Sequence, residues 1–277
     1  MTVCIAGVCC HDEKPAMVLI ADSQGTYGNA LKSNDANKIR NVGRFRILIS
    51  DNPTSADELI TLISPTLIAF DKGPQDFDSH DVRVSSLMAE LRQFVRQRKR
   101  AIVEHHIGLT FSSSLDEFRV DAQKWLSERE HKEAWDEIRR LDLGCSLIIG
   151  HVSEAPTLIG ISPEGHVSLH DHYCVTGSGM DAALALLVQT SYEDLDSVFD
   201  CLVHLHLAKS MAEKNAFVGD ESTIEILTNS SSPLVLTDEG WDYVREFTIA
   251  NIIENLEIKF EKGYLGKTRS GEKKAAH

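Results

Sequence analysis

No stretch of this chain approaches the roughly 18 consecutive apolar residues that a membrane helix needs, so no bilayer-spanning segment is expected. The N-terminus also lacks a basic segment followed by a long apolar core and a small-residue cleavage site, which argues against a secretory leader. Basic residues are in deficit: 28 Lys and Arg stand against 42 Asp and Glu, a net charge of −14. Such a balance implies no broad cationic surface, and a general nucleic-acid binder is not expected. Phosphate-binding loops are missing too, since neither GNALKS (28–33) nor GSGMDAAL (177–184) carries the full glycine-rich signature. Of the six cysteines, Cys4, Cys9, Cys145 and Cys174 sit in apolar or strand-like runs. A free thiol there behaves as a small hydrophobe. The expectation is a cytoplasmic protein with reduced thiols and no cofactor, and with neither membrane nor nucleic acid as partner.

What is present fits a soluble globular chain. Its 277 residues, 42% hydrophobic and 25% charged, can bury one large core with room for additions. Residues 2–10 and 16–22 read as two strands joined by the turn-like HDEKP, a hairpin. RFRILIS (44–50) reads as a further strand. From Thr54 the apolar spacing becomes helical, with Pro65 expected to end or kink that helix. Val84, Leu87, Leu91, Phe94 and Val95 place an amphipathic helix over 82–103. The polar segment 114–140 reads as another helix, with Phe118, Trp125, Leu126 and Trp135 as its packing stripe.

Strand character returns at 143–152, in APTLIGISPEG (155–165) and in HVSLHDHYCVTGSG (166–179). Helices are expected at 180–189 and 194–214, a strand at 222–228 and a helix at 238–258. This order suggests two sheets enclosed by helices rather than alternating βαβ units. Residues 1–262 are expected to form one domain with a helical expansion at 72–140, and the Gly- and Lys-rich 263–277 a frayed tail.

The candidate chemistry begins at Thr2, which follows the initiator methionine. A threonine hydroxyl is a weak nucleophile inside a chain, but at an N-terminus the free α-amine can take its proton. A nearby ammonium would depress that amine and stabilise developing negative charge. Lys38 is the candidate for that group, with Asp22 holding the lysine and the Thr2 backbone in place. The same three residues also have ordinary explanations: a common chain start, a turn-capping aspartate and a solvated lysine. Removal of Met1 before the small Thr2 would expose the amine without a propeptide, whereas its retention would block the base.

Taken together, the segments resemble a proteasome β-type subunit, and also the bacterial ATP-dependent ring peptidase built from proteasome-like subunits. The resemblance covers about 2–62 and 143–228. ADSQGTYGN (21–29) resembles the family segment that carries its catalytic aspartate, here Asp22, and the family's lysine falls on Lys38 in DANKIR. VTGSG (175–179) corresponds to the glycine-serine-glycine turn beside the nucleophile, which puts its serine on Ser178. NAFVGD (215–220) departs from the family's Asp-X-X-Ser-Gly-Gly, with Asn215 and Val218 in place of its aspartate and serine. SDNPT (50–54) stands where the family has a glycine-rich turn whose amide forms the oxyanion hole; Pro53 cannot donate, although Asn52 or Thr54 could.

The resemblance implies an α+β, four-layer αββα sandwich of the N-terminal-nucleophile hydrolase type. It implies threonine-dependent hydrolysis of a peptide or small amide, with Thr2, Asp22, Lys38 and Ser178 forming the site. Assembly into a homo-oligomer, with a ring as one form, goes with it, and an ATPase partner is left open. The departures leave a non-catalytic assembly or scaffold subunit as the alternative.

Two further groups of residues stand out. His166, His170, His172 and Cys174 share parity and would line one face of an uninterrupted strand, a weak zinc-like pattern more simply read as ordinary strand side chains. RQFVRQRKR (92–100) forms a local basic face, read as solvated helix or subunit contact.

Overall fold

The computed structural model describes residues 2–22, 25–27, 31–33, 38–73, 77–190, 192, 197–213, 222–230, 233–237 and 239–248. The chain divides into two compact units, Met1–Leu236 and Thr237–His277. In the second unit, residues 239–248 are helical, and the Thr237 side chain accepts from the Gly240 amide at 3.2 Å at the helix start.

The first unit opens with the expected hairpin, β1 (Val3–His11) and β2 (Lys14–Asp22), in the register His11↔Lys14. Its two turn residues, Asp12 and Glu13, both have positive φ (50° and 63°), the geometry that matches the twist of tightly paired strands. Two short strands follow, β3 (Gly25–Tyr27) and β4 (Leu31–Ser33), then β5 (Ile39–Val42) and β6 (Phe45–Asp51). Helices α1 (Pro53–Lys72), α2 (Phe77–Thr110), α3 (Leu115–Trp125) and α4 (Glu128–Arg140) come next. The chain returns to strand in β7 (Cys145–Val152), β8 (Pro156–Ile161), β9 (Val167–His170) and β10 (Tyr173–Gly177). It closes with α5 (Met180–Gln189), α6 (Val198–Ala212), β11 (Ser222–Leu227) and β12 (Leu234–Val235).

Two antiparallel five-stranded sheets result, ordered β10-β1-β2-β11-β12 and β5-β6-β7-β8-β9. Alternation along the strands sends each sheet's apolar residues to both faces. Ile47, Ile49, Leu147, Ile149 and Ile159 meet α1 and α2 on one side. Leu48, Ile148 and Leu158 meet Cys4, Ala6, Met17 and Leu19 between the sheets. On the far side, α6 lies against β1 and β2 and α5 against β10. The architecture is the expected four-layer αββα sandwich.

Three local expectations need correction. Pro65 does not end α1, which runs through it to Lys72. Pro65 and Thr61, whose carbonyl loses its helical donor, both lie on the exposed face, so water can satisfy that carbonyl while Ile60, Ile63 and Leu67 hold the buried face. Segment 114–140 forms two helices, because Ser127 and Glu130 make a reciprocal capping box that starts a new one. Within it Trp125 is half-exposed rather than part of the packing stripe, while Phe118 is buried. α2 is also longer than the periodicity of 82–103 suggested. Its 34 residues span about 50 Å at 1.5 Å each, running from the core under α1 to a second cluster formed with α3 and α4.

The far end of α1 is tied to the sheet through Asp71. Its carboxylate accepts from Arg44 Nε at 2.6 Å and the Arg44 amide at 3.1 Å, and lies 3.3 Å from His151 Nε2. Burial acts to raise the Asp71 carboxyl, but the hydrogen bonds from Arg44 outweigh it and hold the group below its usual range. His151 is fully buried between Phe45 and Phe70. Burial pushes its imidazole down to about 4; the hydrogen bond to Asp71 opposes this and the Arg44 guanidinium reinforces it.

Because the folded state binds the proton later than the unfolded chain does, stability is full above about pH 6.5 and falls as the pH drops towards 4. The expected loss across that window is about 3 kcal/mol. Urea unfolding at stepped pH should show it for the wild type and a flatter profile for His151→Met; equal slopes would contradict the assignment.

Candidate active site

The sequence-derived site residues come from separate elements and meet at one end of the sandwich. Thr2 precedes β1, Asp22 ends β2, Lys38 precedes β5 in the opposite sheet, and Ser178 follows β10. Lys38 Nζ donates to Thr2 Oγ1 at 2.6 Å and to Asp22 Oδ1 at 2.8 Å. The same Asp22 oxygen accepts the Val3 amide at 3.0 Å. Thr2, Asp22 and Lys38 are all buried, whereas Ser178 is exposed. All four residues named from the sequence are thus brought together.

Local backbone chemistry sets this arrangement. The register Val3↔Gly177 carries the end of β10 past the start of β1. There the Thr2 nitrogen donates to Ser178 Oγ at 3.0 Å, while the Ser178 hydroxyl and the Gly179 amide reach the Thr2 carbonyl at 3.3 and 3.4 Å. Gly177 has φ +98°, and a Cβ on it would fall 2.1 Å from the Thr2 carbonyl oxygen. Only glycine permits this approach. Cys4, one pleat along β1, donates weakly to the Ile49 carbonyl. Burial pushes its thiol far above the ordinary range and Asp22 adds to the shift, so it has no nucleophilic character at neutral pH.

The β6–α1 turn differs from expectation. The Asn52 amide donates to the Gly144 carbonyl at 3.0 Å, and the Thr54 amide to the Asn52 side chain at 2.9 Å. Both backbone donors expected for an oxyanion hole are therefore engaged, that of Thr54 because Asn52 serves as the N-cap of α1. Asn215 and Val218 lie outside the described residues.

The sequence reading did not anticipate a hydroxyl network beside this turn. Thr176 Oγ1 donates to Ser146 Oγ at 2.6 Å, and Ser146 and Ser50 share a short hydrogen bond. Both serine hydroxyls lie 3.1 Å from Asp51 Oδ2, so one donates to the carboxylate while the other donates to its serine neighbour; Asp51 itself has φ 69°. Ser50, Ser146 and Thr176 are buried, each next to an apolar strand segment. Polar interruptions of ILIS, LGCS and CVT were the available signal.

The histidine face does not form. A turn at Asp171–His172 separates β9 from β10, so the parity of one continuous strand does not apply. Among the described residues no group of three or more His, Cys, Asp or Glu could hold a metal ion, and no helix is long and apolar enough to cross a membrane.

The two helix-covered antiparallel sheets form a four-layer αββα sandwich of the N-terminal-nucleophile hydrolase fold type. No protein-family model matches the sequence, and no curated protein matches it. Among solved structures, the chain is similar to a Gly-1 mutant of Anbu from Hyphomicrobium sp. strain MC1. That pair has a TM-score of 0.57 and 14% identity over 95% of this chain and 97% of that one. Eukaryotic HslV from Trypanosoma brucei gives a TM-score of 0.49 and 18% identity over 81% and 99%. At such identities the Anbu likeness establishes the fold.

Gly177→Ala should destabilise the protein by about 2 kcal/mol or more through strain and the clash with Thr2. Gly108→Ala, where the added Cβ would meet only the Ser113 carbonyl oxygen at an unstrained 3.9 Å in α2, should stabilise it by ~0.5–1 kcal/mol. Urea unfolding of the two variants checks the opposite signs.

Proposed function

We propose that this chain is a threonine-dependent amide or peptide hydrolase that acts once Met1 is removed. The observation that carries the reading is Lys38 Nζ held 2.6 Å from Thr2 Oγ1, in a buried setting with Asp22 behind it. An ammonium in that position favours negative charge on the attacking oxygen. Loss of Met1 turns the Thr2 nitrogen into an amine with an ordinary pKa near 8, within reach of Ser178 Oγ.

Thr2 Oγ1 attacks the substrate carbonyl carbon while its proton passes to that amine. The amine then delivers the proton to the departing amine of the substrate, leaving an ester on Thr2. Water, deprotonated by the same group, releases the acid and restores the hydroxyl. Oxyanion stabilisation in this scheme calls for release of the Thr54 amide from the Asn52 side chain, an exposed hydrogen bond that substrate can displace.

A second reading, a non-catalytic assembly or scaffold subunit, is favoured by one observation: the amides of Asn52 and Thr54 are already engaged and Pro53 has none. Self-association, with a ring as one form, is compatible with both.

Intact mass and N-terminal sequencing of protein from its native host come first, followed by peptide and small-amide substrates. Hydrolysis predicts a start at Thr2, turnover abolished in Thr2→Ala, and a fall of about 10²–10³-fold in Lys38→Ala. Complete retention of Met1, or turnover indifferent to Thr2→Ala, would remove the hydrolase and leave the scaffold.

A further inference from the structure

Away from this site, α2, α3 and α4 enclose an open groove of ≈ 410 Å³. Five cations line it: Arg96, Lys99 and Arg100 from α2, Arg119 from α3 and Arg139 from α4. Its apolar lining comprises the half-buried Leu115 and Trp135, with the buried Val103 and Ile138 of the cluster that binds these helices together beneath them. No carboxylate lines the groove.

Part of this charge is met at the rim. Arg100 pairs with Glu104 at 2.8 Å and Asp116 at 3.4 Å, and Arg139 lies 3.5 Å from Asp136. Lys99 donates to the Glu164 carbonyl at 2.7 Å, a contact that leaves its charge uncancelled. Arg96 and Arg119 are exposed and form no ion pair among the described residues. This local surplus stands in a chain whose carboxylates outnumber its cations, 42 to 28. Guanidinium forks bind carboxylates in bidentate fashion, and like charges gathered around an apolar floor are complementary to an acidic, amphipathic ligand. The acidic remainder of the surface disfavours any long polyanion, and the apolar lining between the cations favours a short segment that carries apolar side chains as well as carboxylates over a phosphate backbone.

We propose that this groove docks an acidic amphipathic peptide segment of a partner protein. Its carboxylates pair with Arg96 and Arg119, and its apolar side chains lie against Trp135 and Leu115 in the manner of a helix laid in a groove. The inference is independent of hydrolysis at Thr2.

Fluorescence anisotropy with the full chain tests it. The probe is a labelled 12-residue peptide carrying Glu and Leu at helical spacing, compared with versions bearing Lys for Glu or Ser for Leu. The Glu/Leu peptide should bind, both altered peptides should bind far more weakly, and Arg96→Glu/Arg119→Glu should lower affinity about tenfold or more. Both substitutions are on exposed positions, and circular dichroism with a melting curve checks that the double variant is folded. Absence of binding at 1 mM peptide, equal affinity for the double variant, or equal binding of the Lys peptide would overturn the proposal. So would tighter binding of a 12-nucleotide single strand, or a wild-type oligomer that the double variant converts to monomer; these point to nucleic acid and to a second copy of the chain.

Discussion

The contact between Lys38 and Asp22 governs the open end of this sandwich. The two side chains are 9% and 0% exposed and 2.8 Å apart, and they come from opposite sheets. Removing either charge from water costs several kcal/mol, so the pair persists only because each partner is held by further bonds. Asp22 also accepts the Val3 amide, and the Lys38 carbonyl accepts the Ile49 amide at 2.9 Å. Sliding one sheet over the other would strand a buried charge. The pair therefore fixes the inter-sheet register at the point where the Thr2 hydroxyl sits, and that hydroxyl meets an ammonium whose position the whole core defends.

The β6–α1 turn works against this arrangement. Asn52 is a strong helix cap, with Pro53 at the first helical position, where a missing amide costs nothing to the helix. The same choices engage the Thr54 amide and leave position 53 without one. The N–H groups of this turn are thus spent on the structure itself, that of Thr54 on the helix cap and that of Asn52 on the Gly144 carbonyl.

Much of this was legible in the sequence, for reasons that differ from element to element. Continuous apolar runs in β1, β2, β7 and β8 announced strands buried on both faces. Helix α5 follows the periodicity of residues 180–189 without revision. Thr2 and Asp22 were legible at the ends of apolar strand runs and Lys38 as a nearby cation, whereas Ser178 came only from the resemblance of VTGSG to a family turn. Pro65 misled because the face on which it falls depends on tertiary packing. The division at Ser127 was written in the SERE motif but masked by the uniform polarity of 114–140. The Ser50–Ser146–Thr176 network depends on three strands distant in sequence, and no local pattern announces that their hydroxyls meet. Nor could the sequence show that the basic run of α2 faces a groove whose other walls are α3 and α4.

The close passage of Gly177 beneath the Thr2 carbonyl carries a consequence for entropy. Chain ends ordinarily fray, and a reactive group on a frayed end explores many orientations for each productive one. Here the backbone at Thr2 is clasped by Ser178 and Gly179 and pressed against a residue with no side chain. The rotational freedom of that position is surrendered when the protein folds, not when it meets another molecule. Ordering of the Thr2 backbone thus belongs to the stability of the whole sandwich, and a glycine on a neighbouring strand takes part in it without touching the hydroxyl.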